Sequence, residues 1–304
     1  MKFLKGLALG LLGFLLFLSL VVFGLALTIN QTILNPDFVV SEVNKLDISS
    51  LAGEFISEQI PSGQIPQGEQ LMTEVLDDTI ADLEPWIKEQ VTDVVHSGYD
   101  YLLGESQSLS LVISTEPLKE SLKDNLRSTF NQLIPPELAG APPEMIDAYF
   151  NQFYEQLSQQ IPPTFDISQE MIGPEAMTTL EQVRQYISYF QIGYKALIAF
   201  ILVLIAGIIL IHRQVKGATR QLGITFLVYG VPGYGGILAA KHFAGAQLAQ
   251  FITQPGLPTS LQAWLLQFVD DLVAPLEMYS LGILIAGVAL LIVSFVYKPR
   301  ETSY

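Results

Sequence analysis

The sequence predicts an all-α membrane protein with four transmembrane helices, a mostly helical extracytoplasmic domain and one short two-stranded β element. The first supporting observation is an uncharged run of 22 residues at positions 6–27, followed by three more apolar segments toward the end of the chain. A helix needs roughly 20 apolar residues to cross a hydrocarbon core about 30 Å thick, so these segments are long enough. The second observation is a strongly acidic region between them, with 26 acidic and six basic residues at positions 30–190.

The first apolar run is predicted to remain as a membrane anchor within residues 1–29. Lys2 and Lys5 precede it, and Gly24 and Ala26 are small enough to suit a cleavage site. Signal peptides, however, have an apolar region of only about 7 to 15 residues. The length of the run therefore favours an uncleaved anchor.

Positive charges near the segment ends predict that both termini lie in the cytoplasm. The later segments cover about residues 189–211, 222–240 and 278–297. Lys and Arg accumulate on the cytoplasmic side of membrane proteins. The pieces assigned to that side carry a single acid, Glu301, and the following cations: Lys2, Lys5, Arg213, Lys216, Arg220, Lys298 and Arg300. This pattern predicts a multi-pass protein of the cell membrane, with residues 30–190 outside the cytoplasm and three membrane helices in residues 191–304.

The acidic region is predicted to fold as a helical domain without disulfides, since the chain has no cysteine. Asn35 directly precedes Pro36, and this order is typical of a helix start. A second helix is expected to begin at Ser49 or Ser50.

Apolar residues at three- and four-residue spacing predict helix from about residue 69 to 97. Pro85 interrupts the pattern, which leaves either one kinked helix or two helices joined at Glu84. Four carboxylates on the opposite side could gather a divalent cation, but their spacing matches no calcium loop, so a solvated acidic face is favoured. They are Glu74, Asp77, Asp78 and Asp82.

Residues 107–114 are the exception to the helical pattern. Leu109, Leu111 and Ile113 alternate with smaller or polar neighbours, which is the periodicity of a strand. A lone strand leaves its backbone groups unpaired, so a partner strand is required. The expected partner is the extended segment at 164–168.

A helix following Pro117 carries the domain's basic stripe, Lys119, Lys123 and Arg127. One interpretation is an interaction surface for anionic lipid headgroups or an acidic partner. The favoured interpretation is a set of ordinary surface ion pairs, because an acid stands three residues before each cation.

The next helix has an aromatic face that is predicted to pack inward rather than to hold a ligand. Its members are Ile146, Tyr149, Phe150, Phe153 and Leu157. Beyond Gly173 and Pro174 the helical pattern continues into the second membrane segment, so the domain is expected to end in a helical stalk.

The third membrane segment is unusual because five helix-loosening residues fall near its middle: Gly230, Pro232, Gly233, Gly235 and Gly236. Transporters use broken helices to expose backbone groups to a substrate. The alternative is a kinked span whose small residues allow close packing against a neighbour. Apart from Lys195, which lies near the start of the second span where its stem can reach outward, the spans contain no Asp, Glu, Lys or Arg. This favours the kink or packing interpretation.

Residues 260–274 are predicted to form an amphipathic helix at the outer surface, ended by Pro275. Its apolar stripe consists of Leu261, Trp264, Leu265, Phe268, Val269 and Leu272. The helix lacks the Lys and Arg typical of lipid-binding examples, so packing against protein is favoured.

The sequence gives no sign of catalysis. The three histidines, His96, His212 and His242, lie in different segments, and nothing points to a catalytic residue, a cofactor or a metal. The acidic exterior disfavours nucleic acid. We expect a non-enzymatic membrane protein whose outer domain acts as an interaction or scaffold module for another envelope protein. The alternative is a transporter or channel component that uses the Gly/Pro-containing third helix.

Overall fold

A computed structural model describes residues 2–51, 67–130, 141–168, 173–252 and 258–297. The helices are α1 (Lys2–Gln31), α2 (Pro36–Asn44), α3 (Gln67–Leu103), α4 (Glu116–Phe130), α5 (Pro143–Ser158), α6 (Pro174–His212), α7 (Val215–Ile252) and α8 (Thr259–Val296), and the strands are β1 (Ser110–Ser114) and β2 (Thr164–Ser168). Residues 48–51 are also helical. The protein is therefore mostly helical with one small sheet, as predicted. Lys298, Arg300 and Glu301, which entered the charge argument, lie outside the described residues.

Among the described residues, four helices are long and apolar enough to cross a membrane. They supply the segments Phe3–Gln31, Pro174–His212, Val215–Phe243 and Thr259–Val296. The prediction of four apolar membrane helices is thus confirmed at the level of length and composition.

The chain forms two compact units, which are described separately. The first, here called the apolar unit, contains Met1–Phe38, Gln185–Pro255 and Leu265–Tyr304. The second, here called the acidic unit, contains Val39–Arg184 and Gly256–Trp264. Three of the boundaries fall within α2, α6 and α8, so each of these helices contributes residues to both units.

The core of the apolar unit is built by α1, α6 and α7. Its fully buried members are Leu16, Leu20, Leu204, Ile208, Leu222 and Tyr229. Many other apolar side chains of these helices are exposed, among them Leu11, Leu202 and Ile224. Lipid tails are as apolar as leucine, so contact among such helices in a membrane depends on close packing and hydrogen bonds rather than on escape from water.

Prolines do not end the helices where the sequence suggested. Pro275 lies inside α8, so the predicted amphipathic helix and the fourth membrane segment form one continuous helix. Pro85 likewise lies inside α3, which resolves the open alternative in favour of one helix. A proline removes one backbone hydrogen bond, but continuing the helix keeps the flanking backbone groups paired.

The acidic unit has its own apolar core where α3, α4 and α5 meet. The buried residues are Val75, Leu126, Phe130 and Phe150, with Leu122, Ile146, Tyr154 and Leu157 packed against them. Phe150 and Phe130 pack edge to face with ring centroids 5.1 Å apart. Tyr154 donates its hydroxyl proton to the carbonyl of Lys119 at 2.7 Å, which fixes α5 against α4.

The predicted strand pair is confirmed. β1 and β2 are antiparallel, with Val112 opposite Asp166 at the centre of the register. At one end of the pair, the buried Thr115 donates its backbone N–H to the Pro163 carbonyl at 3.1 Å and its hydroxyl to the Pro162 carbonyl. Thr115 therefore ties the start of α4 to the segment that leads into β2.

Helix ends between residues 35 and 104 use local side chains or glycine. The predicted cap before α2 is confirmed, because Asn35 Oδ1 accepts the Asp37 backbone N–H at 3.1 Å. The next helix is capped by Asp47 rather than starting at Ser49, since Asp47 Oδ1 accepts the Ser50 N–H at 2.9 Å. Gly104 follows α3 with a φ of 84°, a left-handed conformation that glycine adopts without strain.

Two carboxylates near this cap are stabilised in their charged form. Hydrogen bonds from Ser50 hold the pKa of Asp47 below its usual value of 3.8. The pKa of Glu84 lies below 4.5 because of Lys88 and Ser49. Lys88 Nζ lies 2.6 Å from Glu84 Oε1, and Ser49 Oγ lies 2.7 Å from Glu84 Oε2.

The lowered pKa values predict a loss of stability in acid. A carboxyl group whose pKa is lower in the folded state than in the unfolded state stabilises the fold when it is charged. This contribution is complete at pH values above the unfolded-state pKa. It is lost as the pH falls through the folded-state pKa. We therefore expect the urea midpoint of the acidic unit to fall as pH decreases below about 4.5. The two tryptophans of the chain, Trp86 and Trp264, both lie in this unit, so their fluorescence measures its unfolding.

The control for this prediction is the double variant Asp47→Asn and Glu84→Gln, studied over the same pH range. It removes both titrating groups, so its urea midpoint should depend less on pH than that of the wild type. An equal acid dependence in the two proteins would contradict the assignment to these carboxylates.

Candidate functional sites

The glycines of α7 differ in what surrounds them. Gly230 is buried, and a Cβ built there would lie 2.7 Å from the Cα of Leu284 in α8. Farther along the same pair of helices, a Cβ at Gly223 would lie 3.0 Å from the carbonyl oxygen of Gly287. Backbones can approach this closely only where side chains are absent, so α7 and α8 pack through glycine.

The other predicted members of the Gly/Pro group lie farther along α7. Pro232 lies inside the helix, which runs on to Ile252. Gly233 faces Ser280, whereas a Cβ at Gly235 or Gly236 would meet nothing within 4 Å. The segment therefore remains helical, and its backbone is not unwound in the manner of a broken transporter helix.

A cavity of about 420 Å³ lies between α7 and α8 in the apolar unit. Its lining combines Gly233, Gly236 and Ala240 of α7 with Leu266, Val269 and Val273 of α8. Lys241 and Asp270 are the charged residues of the lining. Lys241 Nζ lies 2.7 Å from Glu277 Oε2 and 3.8 Å from Asp270 Oδ1. Local sequence patterns do not predict this charged group, because Lys241 lies about 30 residues from its acidic partners.

Tyrosines fill the interior of the apolar unit beside Gly24. The rings of Tyr229 and Tyr279 have centroids 5.6 Å apart, and Tyr279 donates its hydroxyl to the Leu20 carbonyl at 3.1 Å. A Cβ at Gly24 would lie 2.7 Å from the Tyr229 hydroxyl oxygen. Gly24, which entered the sequence argument only as a cleavage residue, provides space for these two rings.

Of the apolar stripe predicted for the interfacial helix, Val269 is exposed. The other five residues are half-buried, namely Leu261, Trp264, Leu265, Phe268 and Leu272. Within the acidic unit, Trp264 donates its indole N–H to the Glu42 carbonyl at 2.8 Å. Within the apolar unit, Phe268 lies near Phe38, with ring centroids 6.2 Å apart. These two contacts are made with protein groups of α2.

The basic stripe of α4 lies beside α5. Arg127 forms an ion pair with Asp147 and lies over the Phe150 ring at 4.9 Å. Lys123 Nζ lies 5.6 Å from the centroid of the Tyr154 ring. Lys119 contributes its carbonyl to Tyr154. Two of the three cations, Lys123 and Arg127, thus interact with aromatic rings of the neighbouring helix. The sequence had suggested ion pairs with acids of their own helix.

The aromatic face of α5 divides into two rows. Phe150 is buried, and Ile146 and Leu157 pack beside it in the core. Tyr149 and Phe153, predicted to point inward with them, are 43% and 38% exposed. Together with Met145, which is 54% exposed, they form a row at four-residue spacing, here called the α5 row. The rings of Tyr149 and Phe153 also lie near the core residue Phe130, with centroids 6.1 and 6.4 Å away. The prediction of inward packing is therefore correct in part, but it missed the exposure of this row.

The four apolar helices suggest a multi-pass membrane protein. Comparison with protein-family models, with curated proteins and with solved structures found no match for the chain.

Proposed function

We propose that the protein is a non-enzymatic interaction or scaffold protein of the cell membrane, with both termini in the cytoplasm. Residues 30–190 lie outside the cytoplasm in this proposal and meet another protein of the envelope. The charge distribution supports this orientation, since Arg213, Lys216 and Arg220 follow the second apolar segment while residues 30–190 are strongly acidic.

The α5 row is the observation that carries the proposed function. Met145, Tyr149 and Phe153 remain exposed although the core below them is already filled by Phe150 and its neighbours. Contiguous exposed apolar residues on a folded domain mark interaction sites. Methionine and aromatic residues are also enriched in the buried centres of protein interfaces.

The chemistry around the row favours a protein partner over a lipid surface. Asp147 and Glu144 lie on the same helix, and the region as a whole is strongly acidic. Anionic headgroups would be repelled by this charge. The partner is expected to present an apolar groove or helix face, with polar or basic groups at its rim.

Transport remains a second candidate because of the cavity between α7 and α8. It places Lys241 and Asp270 beside a largely apolar lining, and ionisable groups beside a membrane cavity often mark a solute path. Replacing Gly233 and Gly236, which both line the cavity, by leucine would fill it and abolish any solute flux measured in liposomes.

Photo-crosslinking tests the interaction proposal in the native membrane. A photoreactive amino acid placed at Met145 should give a discrete crosslinked product, whereas one placed at the exposed Asn151 of the same helix should not. Serine substitutions at Tyr149 and Phe153 should remove the product formed from position 145. Equal products from positions 145 and 151 would contradict a binding role for the row.

A further inference from the structure

The apolar unit contains a second groove, between α1 and α7, of about 690 Å³. Its wall is apolar along most of its length and consists mainly of Leu9, Phe14, Phe17, Ile224 and Val228. The α7 residues that line it run from Gly217 to Val228, which corresponds to about 16 Å of helix. This length can hold a large part of an acyl chain.

The polar end of the groove carries His212, Arg220 and Gln221. Both polar atoms of the Gln221 amide are hydrogen-bonded, since its Nε2 donates to the Leu9 carbonyl at 2.6 Å and its Oε1 lies 2.6 Å from His212 Nε2. Because Oε1 can only accept, His212 donates through Nε2. These bonds fix the groove's polar end in place and join α1 to the turn between α6 and α7.

Arg220 is the positively charged side chain at the polar end of the groove. It is exposed, and the described residues provide it with no ion pair. Residues 1–36 and 185–252 contain no Asp or Glu, while Arg213 and Lys216 add positive charge. The pieces assigned to this side of the membrane carry one acid, Glu301, against seven cations. An anionic group at this position would therefore meet net positive charge beside an apolar channel.

We propose that the groove between α1 and α7 binds one anionic phospholipid, with its phosphate at Arg220 and one acyl chain along Phe14, Phe17 and Val228. The cationic end of the groove matches the phosphate of this lipid, and the apolar part of the groove matches its acyl chain. Basic pockets between membrane helices bind anionic headgroups in this way. The inference does not depend on the α5 row or on its partner.

Native mass spectrometry of the full-length protein with added phosphatidylglycerol or phosphatidylcholine tests the inference. We expect a phosphatidylglycerol adduct that is preferred over phosphatidylcholine. Arg220→Gln should lower its affinity about fivefold, because one Lys or Arg near an anionic surface contributes about 1 kcal/mol. Val228→Trp, which fills the apolar part, should reduce binding of the same lipid.

The matched control is Arg213→Gln, which removes the same charge just before α7 begins, from a residue that does not line the groove. It should leave phosphatidylglycerol binding nearly unchanged. If the Arg213 and Arg220 variants lost the same amount of phosphatidylglycerol affinity, the lipid would be responding to the general positive surface potential. That result would contradict a specific site at Arg220. Equal binding of the two lipids, or displacement of phosphatidylglycerol by millimolar inorganic phosphate, would also overturn it.

Discussion

Replacing Gly230 by alanine is expected to destabilise the apolar unit by about 2 to 3 kcal/mol, the cost typical of an overpacked site. The added Cβ would lie 2.7 Å from Leu284 Cα and 2.8 Å from Leu284 N. These are backbone atoms, so no side-chain rotation relieves the clash and α7 must move away from α8. A lower melting temperature of the full-length protein in detergent would measure this effect.

Gly235→Ala is the matched control on the same helix. A Cβ at this position meets nothing within 4 Å, and alanine is favoured over glycine in a helix by about 1 kcal/mol. The control should therefore leave the melting temperature unchanged or raise it. If Gly230→Ala and Gly235→Ala lowered the melting temperature equally, the effect would come from helix flexibility. The close packing at Gly230 would then not explain the loss of stability.

Phe150→Ala is expected to cost the acidic unit about 3 to 5 kcal/mol, the range for deleting a buried aromatic ring. The side chain is only 1% exposed and packs against Phe130 and beneath Arg127. A loss of this size is large compared with a total stability of about 5–15 kcal/mol for a typical protein. Urea unfolding followed by tryptophan fluorescence measures it.

Phe165→Ala provides the comparison for this variant. Phe165 belongs to β2 in the same unit and is 44% exposed, so the same atoms are removed from a site that is partly in contact with solvent. Its urea midpoint should fall much less than that of Phe150→Ala. A larger loss at Phe165 would contradict the core assigned to α3, α4 and α5.

The features that followed directly from the sequence depend on neighbours in the chain. The apolar runs are long enough to be recognised alone, and Asn35 caps a helix that begins at the next residue. The alternation around Leu111 identified a strand, and the requirement for backbone pairing identified residues 164–168 as its partner. Each of these inferences uses local spacing or a hydrogen-bonding requirement that any fold must meet.

Prolines were less informative than expected. Pro275 was predicted to end a helix, yet α8 continues through it, and Pro85 also lies inside a helix. The sequence shows where a proline removes one backbone N–H donor. It does not show how much stability is kept when the backbone groups on both sides of the proline remain hydrogen-bonded within one helix.

The candidate sites depend on contacts that local patterns do not encode. Gly230 and Gly235 look equivalent in the sequence, but only Gly230 faces the backbone of α8. The apolar residues of α5 cover about half of its circumference, so periodicity could not separate the buried Phe150 from the exposed Tyr149. The pairing of Lys241 with Glu277 likewise requires knowing which helices are adjacent.

Cysteine labelling tests the central claim, the extracytoplasmic position of the acidic domain, most directly. The chain has no native cysteine, so single substitutions at the exposed Asp100 and Gln214 provide two unambiguous reporters. A membrane-impermeant maleimide should label Asp100→Cys in intact cells and Gln214→Cys only after permeabilisation. Labelling of Gln214→Cys in intact cells, with Asp100→Cys protected until lysis, would contradict the proposed orientation and the interaction role that depends on it.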